Sequence, residues 1–225
     1  MPHNDPPLVF SPTLRRRRLE RAAVNFREHA FIHERVAEDL VDRLESVQRT
    51  FQRALFYGPG APFVAERLTD KAAIEAVTLA CESGALLKRL GGSEPGEAAA
   101  TALPFPCQFF DLVVSSMSLH CENDIPAALL EAKRVLRPDG LFLASFPAEQ
   151  TLAGLREALR NVEAGLTGRV SPRVAPVVAI KDGGALLQRT GFALPVADTH
   201  NVRVSYRTPG RLLTDLRGMG ETSVL

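Results

Sequence analysis

Apolar side chains in the first fifty residues recur at steps of three or four, the spacing of a helix with one buried face. This spacing predicts a long amphipathic helix that starts near residue 15 and is broken near Phe31 and Ile32. Its apolar positions are Leu19, Ala22, Ala23, Phe26, Ala30, Val36, Leu40, Leu44 and Val47. We therefore expect residues 1–48 to form a helical extension in front of the main domain.

After residue 49 short apolar runs alternate with segments of helical periodicity. The run 111–116 is typical of a strand that is buried on both faces. Strands are predicted at 50–57, 72–81, 111–116, 141–146, 192–198 and 202–206, and helices at 63–68, 84–90, 124–135, 151–164, 182–190 and 211–216. Strands that alternate with helices imply right-handed crossovers and a mainly parallel sheet. We expect one α/β domain over residues 49–225, with an insertion near residues 165–180.

Composition excludes several classes of protein. The chain has 225 residues, of which 45% are hydrophobic and 24% charged, and its net charge is +1. These values are typical of a globular protein and give no reason to expect a nucleic-acid partner. No apolar run approaches the roughly 18–20 residues of a transmembrane segment. The odd set Cys81, Cys107 and Cys121 has no short paired spacing, so we predict a reducing compartment, no disulfide framework and no metal site.

Ligands of an open parallel sheet bind at the carboxyl ends of the strands, where the strand order reverses. In this sequence the turns in question are residues 58–62 and 115–124. Gly58 and Gly60 allow the backbone to approach a ligand closely. A Gly-x-Gly pair alone fits an ordinary strand-to-helix turn equally well.

Three segments carry a family resemblance: 109–120 (Phe-Phe-Asp-Leu-Val-Val-Ser-Ser-Met-Ser-Leu-His), 134–140 (Arg-Val-Leu-Arg-Pro-Asp-Gly) and 218–221 (Gly-Met-Gly-Glu). They resemble the methyltransferase-like assembly factors of respiratory complex I, a group of S-adenosylmethionine (SAM) dependent class I, type 11 methyltransferase folds. The sequence is also similar to the malonyl-carrier-protein methyltransferase of biotin synthesis. The first two segments identify the fold, whereas the last, the arginine-rich first helix and the loop 171–173 point to the assembly factors.

The resemblance implies a Rossmann-like, mainly parallel seven-stranded sheet with an antiparallel final strand. It also implies a SAM pocket and a client protein, a respiratory complex I subunit, unless the acceptor is a small molecule. The compartment would be the bacterial cytoplasm, or the mitochondrial matrix in a eukaryote. The cofactor-binding positions that it suggests are Gly58, Gly60, Glu82, Thr101, Ser115 and Ser116.

The sequence departs from the family at the cofactor motif. Where the family has Asp-Leu-Gly-Cys-Gly-x-Gly, residues 56–62 lack both the aspartate and the third glycine, which is replaced by Pro62. The ribose-binding acidic position falls on Cys81, with Glu82 next to it, and a further carboxylate position falls on Thr101. Each lost acceptor costs roughly 1–3 kcal/mol. We therefore predict a SAM pocket that is present in outline, with weakened or lost affinity.

The acceptor side contributes two candidate catalytic residues, His120 as a general base and Asp124. His120 also fits a structural strand-end histidine, and Asp124 fits a helix cap. If the family geometry holds, the substrate-binding residues are Asn123, Arg173, Tyr206 and Glu221. For the four arginines at 15–18 a solvated helix face is favoured over contact with an acidic client or an anionic lipid.

The primary functional prediction is a SAM-dependent methyltransferase that acts on a protein or a small carboxylic substrate. The alternative is a complex I assembly factor that has lost catalysis or that hydroxylates an arginine. No His/carboxylate spacing in the sequence indicates an iron site for hydroxylation. Because the family usually continues beyond the Gly-Met-Gly-Glu segment, we expect the acceptor pocket to be partly uncovered.

Overall fold

A four-stranded parallel sheet forms the centre of the computed structural model, which describes residues 8–68, 74–92 and 96–225. The strands are β1 (Ala54–Tyr57), β2 (Val77–Ala80), β3 (Phe110–Ser116) and β4 (Leu136–Ser145), in the order β2-β1-β3-β4. The chain order reverses between β1 and β3, so their carboxyl ends border the switch point. Every residue of β1 and β3 is buried, including the polar Asp111, Ser115 and Ser116 of β3.

Helices connect and flank the strands. They are α1 (Pro12–Ala22), α2 (Phe26–His29), α3 (Phe31–Ser46), α4 (Ala61–Arg67), α5 (Gly84–Arg89), α6 (Ile125–Val135), α7 (Ala153–Thr167), α8 (Ile180–Arg189) and α9 (Pro209–Gly218). The amphipathic segment predicted near residue 15 is interrupted twice, before α2 and at Ala30. No helix of the described ranges is long and apolar enough to cross a membrane.

Two apolar clusters cover the faces of the sheet. Ala54 and Phe56 of β1 belong to the cluster that includes α1 and α3, whereas Leu55 and Tyr57 belong to the cluster that includes α6. Successive residues of a strand point to opposite faces, which explains this division. The sheet is therefore a central layer between two helical layers, with its carboxyl ends open to the connecting turns.

The segment after β4 contradicts part of the sequence-based expectation. The helices predicted at 182–190 and 211–216 are present, but no strand forms at 192–198 or 202–206. Leu194 and Val196 are 93% and 84% exposed, and no strand edge pairs with their backbone. A β-prone sequence without a partner edge gains neither ladder hydrogen bonds nor burial. In the described residues the sheet therefore has four strands, all of them parallel.

Candidate functional site

The glycine turn, residues 58–60, lies directly against the end of β3. Gly58 has a φ of +101°, and its N–H donates to Ala80 O at 2.8 Å. A Cβ at Gly58 would overlap the Ser116 carbonyl, and one at Gly60 would overlap the Ser116 side chain. Ser115 and Ser116 are buried, and their Oγ atoms have no hydrogen-bond partner in the part of the chain that the structure describes. The glycines are thus needed for close packing, and two free hydroxyls lie at this strand end.

Glu82 presents a carboxylate immediately after β2. Its Oε1 accepts from Ser118 Oγ at 2.7 Å, and its Oε2 accepts from Cys81 Sγ at 3.2 Å. Cys81 is fully buried, and burial raises the pKa of its thiol well above the usual value. The acidic group at this strand end is therefore Glu82, whereas Thr101 is exposed in a later turn.

A second carboxylate, Glu122, lies within electrostatic range of Glu82. Burial and the negative charge of Glu82 raise the pKa of Glu122 against the lowering effect of Arg15 and His120, and the pKa is about 7 as a result. Two carboxylates that are both ionised in one partly buried region repel each other. A cationic ligand would relieve this repulsion.

A buried ion-pair cluster joins three distant parts of the chain. Glu221 accepts from Arg15 Nη1 at 3.0 Å and from His120 Nε2 at 2.8 Å. Arg15 also donates to the backbone oxygens of Gly220 at 3.3 Å and Met117 at 3.2 Å. The cluster therefore ties α1 and the last residues of the chain to the turn after β3.

The charges of this cluster stabilise one another. Burial opposes ionisation, yet Arg15 and His120 hold the pKa of Glu221 well below its usual range. Burial lowers the pKa of His120, but the negative charge of Glu221 raises it, and the pKa is about 10 as a result. His120 is therefore protonated at neutral pH and donates to Glu221. A role as general base, which remains a prediction, would require this contact to open.

His33 of α3 is a buried histidine that sequence reasoning did not single out. It lies beside the rings of Phe26 and Phe63, with ring centroids 4.9 and 6.2 Å away. Neither of its ring nitrogens has a hydrogen-bond partner within the described ranges. Burial lowers its pKa most, Glu221 raises it, and Arg15 and His120 lower it, so that the pKa is about 4. A neutral imidazole therefore lies next to Gly60, whose Cβ would be 3.4 Å from Nδ1.

Among the other predicted site residues, two have clear structural contacts. Asp124 Oδ1 accepts from Ala127 N at 2.8 Å as the N-cap of α6. The Asn123 side chain bonds both backbone groups of Phe10 at 2.8 Å and so anchors the N-terminal segment. A catalytic role for Asp124 and a substrate role for Asn123 remain predictions.

Arg173 and Tyr206 lie in the segment after β4. Arg173 pairs with Glu163 of α7 at 2.7 Å on the surface. Tyr206 is half-buried, and burial together with Asp215 raises its pKa. Among the contacts of the described residues, none joins Arg173 or Tyr206 to the Arg15–His120–Glu221 cluster.

The burial of Arg15 corrects the prediction of a solvated arginine face. Arg15 is 3% exposed, whereas Arg16 and Arg17 are exposed as predicted. Arg15 lies four residues before Leu19 and seven before Ala22, so it shares the apolar stripe of α1. This position in the stripe was the signal that could have identified it.

A cavity of about 500 Å³ lies between α7, the loop 170–176, Val9 and Leu225. Its walls are mostly apolar, and it is also lined by Arg156, Arg160 and Arg173. Arg156 donates to the backbone oxygens of Glu149 and Thr151, and Arg173 pairs with Glu163. For Arg160 no ion pair is found with the described residues, so a cationic side chain is available there.

The parallel sheet in the order β2-β1-β3-β4, with helices on both faces, is the arrangement of the Rossmann-like methyltransferase fold. Two solved structures have this fold: a methyltransferase of Haloferax volcanii in complex with the Trm112 activator, and a SAM-dependent methyltransferase of Thermotoga maritima. The first has a TM-score of 0.58 at 14% identity and covers 77% of this chain and 75% of the other. The second has a TM-score of 0.53 at 16% identity, with coverage of 77% and 79%. Residues 55–144 match the methyltransferase domain family.

Sequence relatives identify a narrower family. The chain is 33% identical to the mitochondrial arginine hydroxylase NDUFAF5 of Danio rerio over 220 residues, 96% of this chain and 68% of the relative. It is 32% identical to the malonyl-[acyl-carrier protein] O-methyltransferase of Halorhodospira halophila, over 92% of this chain and 71% of the relative. The chain belongs to the methyltransferase-like family that contains these proteins, which confirms the resemblance stated above. It spans 57% of the human NDUFAF5 protein, at 36% identity.

Proposed function

We propose that this protein binds SAM at the carboxyl ends of β1, β2 and β3 and transfers its methyl group to a protein or a small carboxylic substrate. The observation that carries this proposal is the Glu82 carboxylate, which lies half-buried beside the glycine turn with Glu122 within electrostatic range. The match to a methyltransferase domain over residues 55–144 supports the same reaction class.

The residues present fit the nucleoside end of SAM. Glu82 can accept hydrogen bonds from a ribose diol, the role that an acidic residue after the second strand has in nucleotide-binding sheets. The negative charges of Glu82 and Glu122 complement a sulfonium. SAM, when bound, supplies an activated methyl group, so the protein needs mainly to position the acceptor.

The residues next to Gly60 leave less room for SAM. Ser116 and His33 already lie against this glycine, and buried Pro62 stands at the position of the third glycine in the family motif. The unpaired hydroxyls of Ser115 and Ser116 offer hydrogen bonds to a polar ligand. We therefore expect the adenosine end to be held better than the methionine end, which makes the affinity weak.

The arginine-lined cavity supports a carboxylic acceptor. Arg160 supplies a cation on an otherwise apolar wall, an arrangement that suits a carboxylate attached to an apolar chain. The cavity includes Leu225, four residues after Glu221. The same chain end thus lines the cavity and completes the ion-pair cluster.

Equilibrium binding of SAM tests the cofactor site. The wild-type chain should bind SAM saturably, and Glu82→Gln should weaken binding by roughly 10-fold or more, because a hydroxyl loses a charged acceptor. SAM should also bind more tightly than S-adenosylhomocysteine, which lacks the positive charge of the sulfonium. Glu157→Gln, on the exposed surface of α7, is the matched control and should bind like wild type. Absence of binding at millimolar SAM, or equal affinity in Glu82→Gln, contradicts the proposal.

Transfer of labelled methyl groups from SAM to a malonyl-carrier protein tests the acceptor class. We expect Arg160→Gln to raise the KM for this acceptor with little change in kcat, since Arg160 would bind ground state and transition state alike. Arg203→Gln, at another exposed arginine, is the control. An unchanged KM in Arg160→Gln contradicts a carboxylate site in this cavity.

A second candidate function is that of an assembly factor that holds a protein client, with or without arginine hydroxylation. It is favoured by the exposed apolar side chains of residues 194–204, including Leu194, Val196, Val202 and Val204. The identity to the NDUFAF5 arginine hydroxylases favours it as well. Capture of a purified complex I subunit by a chain that does not bind SAM would favour this function over methyl transfer.

A further inference from the structure

Three potential metal ligands from separate parts of the sequence meet after β3. His120 and Cys121 lie in the single 3-10 turn Leu119–Cys121, and Glu221 comes from the chain end beyond α9. Each offers one ligand atom, and the three atoms lie within 4.8 Å of one another. His120 is buried, while Cys121 and Glu221 are half-buried, so the group is reachable from solvent.

Buried ring nitrogens without a hydrogen bond lie at this group and near it. Among the described residues, His120 Nδ1 and both ring nitrogens of His33 have no hydrogen-bond partner. Native structures leave few buried polar atoms unpaired, and those that remain often mark an ion or water site. His33 is within the electrostatic range of both Glu221 and His120.

We propose that His120, Cys121 and Glu221 form a binding site for a divalent transition metal of the zinc class. An imidazole nitrogen, a thiolate and one carboxylate oxygen are ligands that Zn²⁺ takes in proteins. Three protein ligands leave a fourth position for water or another ligand, as in sites where zinc is not purely structural. This metal site goes beyond the methyl-transfer function. It also differs from the prediction, based on the spacing of the cysteines, that the chain has no metal site.

The surroundings of Glu221 suit a ligating carboxylate. Arg15 occupies Oε1 at 3.0 Å and leaves Oε2, now bonded to His120, for the metal. Hydrogen-bonded partners of this kind orient ligands in metal sites. The carboxylates of Glu82 and Glu122 act on Arg15 and on each other, and they offset the positive charge of its guanidinium.

Binding needs no redox step. Cys121 loses its thiol proton and His120 its Nε2 proton to solvent, and metal–ligand bonds replace the His120–Glu221 hydrogen bond. The geometry requires only that the side chains move from hydrogen-bond contact to coordination. The backbone positions of the turn and the chain end are already set by the Arg15 contacts.

Titration of the full chain with Co²⁺ as a spectroscopic probe tests this site. We expect saturable one-to-one binding with a thiolate-to-cobalt charge-transfer band that added Zn²⁺ displaces. Cys121→Ser should remove the band and weaken binding by at least about 10-fold, the lower end of what even outer-shell losses cost. His120→Gln should weaken binding similarly. Cys107→Ser and His200→Gln, at exposed positions, are matched controls that should keep both band and affinity.

Three outcomes would overturn the site: no saturable Co²⁺ binding, an unchanged band in Cys121→Ser, or loss of the band in Cys107→Ser. Folding is monitored by thermal unfolding, where Zn²⁺ should raise Tm for wild type but not for Cys121→Ser. Glu82→Gln should retain Co²⁺ binding. Failure of the metal site and failure of the SAM site are therefore distinguishable.

Discussion

Residues 8–145 and residues 151–218 differ sharply in how they are packed. The first region contains the sheet, both apolar clusters and nearly all buried side chains. In the second region, none of α7, α8 and α9 has a buried residue. Because buried apolar area is the main source of stability, the first region should dominate the free energy of unfolding.

The last residues of the chain belong with the first region rather than with the helices that precede them. Met219 and Val224 are buried, and Val224 O accepts from Ser11 N at 2.8 Å. Glu221 completes the ion-pair cluster with Arg15 and His120. The exposed segment 151–218 is therefore a long connection between β4 and the last residues of the chain, which complete the ion-pair cluster.

The largest difference between the regions is expected from removal of one partner in an ion pair. Glu221→Ala leaves the Arg15 guanidinium buried without its partner and should lower the free energy of unfolding by about 3–5 kcal/mol. Glu163→Ala breaks the surface ion pair with Arg173 and should change the free energy of unfolding little. Urea unfolding of both variants measures the difference, and similar losses in the two would contradict it.

A somewhat smaller effect should appear as pH dependence from His33. The pKa is lowered from 6.5 to about 4 in the folded state, because burial disfavours the imidazolium. Its stabilising contribution is complete above pH 6.5 and is lost as the pH falls through about 4. The loss amounts to about 3 kcal/mol. His33→Gln should flatten this part of the stability profile, as measured by urea unfolding across the range; an unchanged profile would exclude His33 as its source.

Next in size is the effect of a methyl group in the glycine turn. Gly58→Ala places a Cβ against the Ser116 carbonyl at a φ of +101°, so both overlap and backbone strain oppose it. We expect a loss of about 2–3 kcal/mol of stability. Thermal and urea unfolding measure it, and a neutral substitution would mean that the turn is loosely packed.

The smallest effect should have the opposite sign and lies in the exposed region. Gly165 is inside α7, and a Cβ there would meet no atom within 4 Å. Gly165→Ala should therefore increase helix stability, by up to about 1 kcal/mol. Circular dichroism and unfolding would measure the gain. A loss as large as that of Gly58→Ala would remove the proposed contrast between the two regions.

The sequence predicted the part of the fold that rests on local pattern. β3 and α6 were found because a continuous apolar run, Asp124 and Pro126 are signals readable over a few residues. The expected strands at 192–198 and 202–206 were wrong, because β-propensity says nothing about whether a sheet edge is available.

The candidate site could be predicted only in part. His120, Glu82 and Glu221 were proposed as site residues from motif positions in a family resemblance, and their roles remain predictions. The apolar stripe of α1 could have indicated that Arg15 is buried, but the partners of Arg15 and the surroundings of His33 arise from tertiary contacts; Arg15 bonds residues that are 102 to 206 positions away in sequence. Spacing along the chain carries no information on contacts of that range.

Hydrogen exchange of the full chain with and without SAM tests the central claim most directly, namely that the cofactor site lies at the strand ends of the well-packed region. SAM should slow exchange at the amides of the glycine turn and of residues 82 and 118, and leave α7, α8 and α9 unchanged. Protection confined to the exposed helices, or no protection anywhere at saturating SAM, would contradict the account.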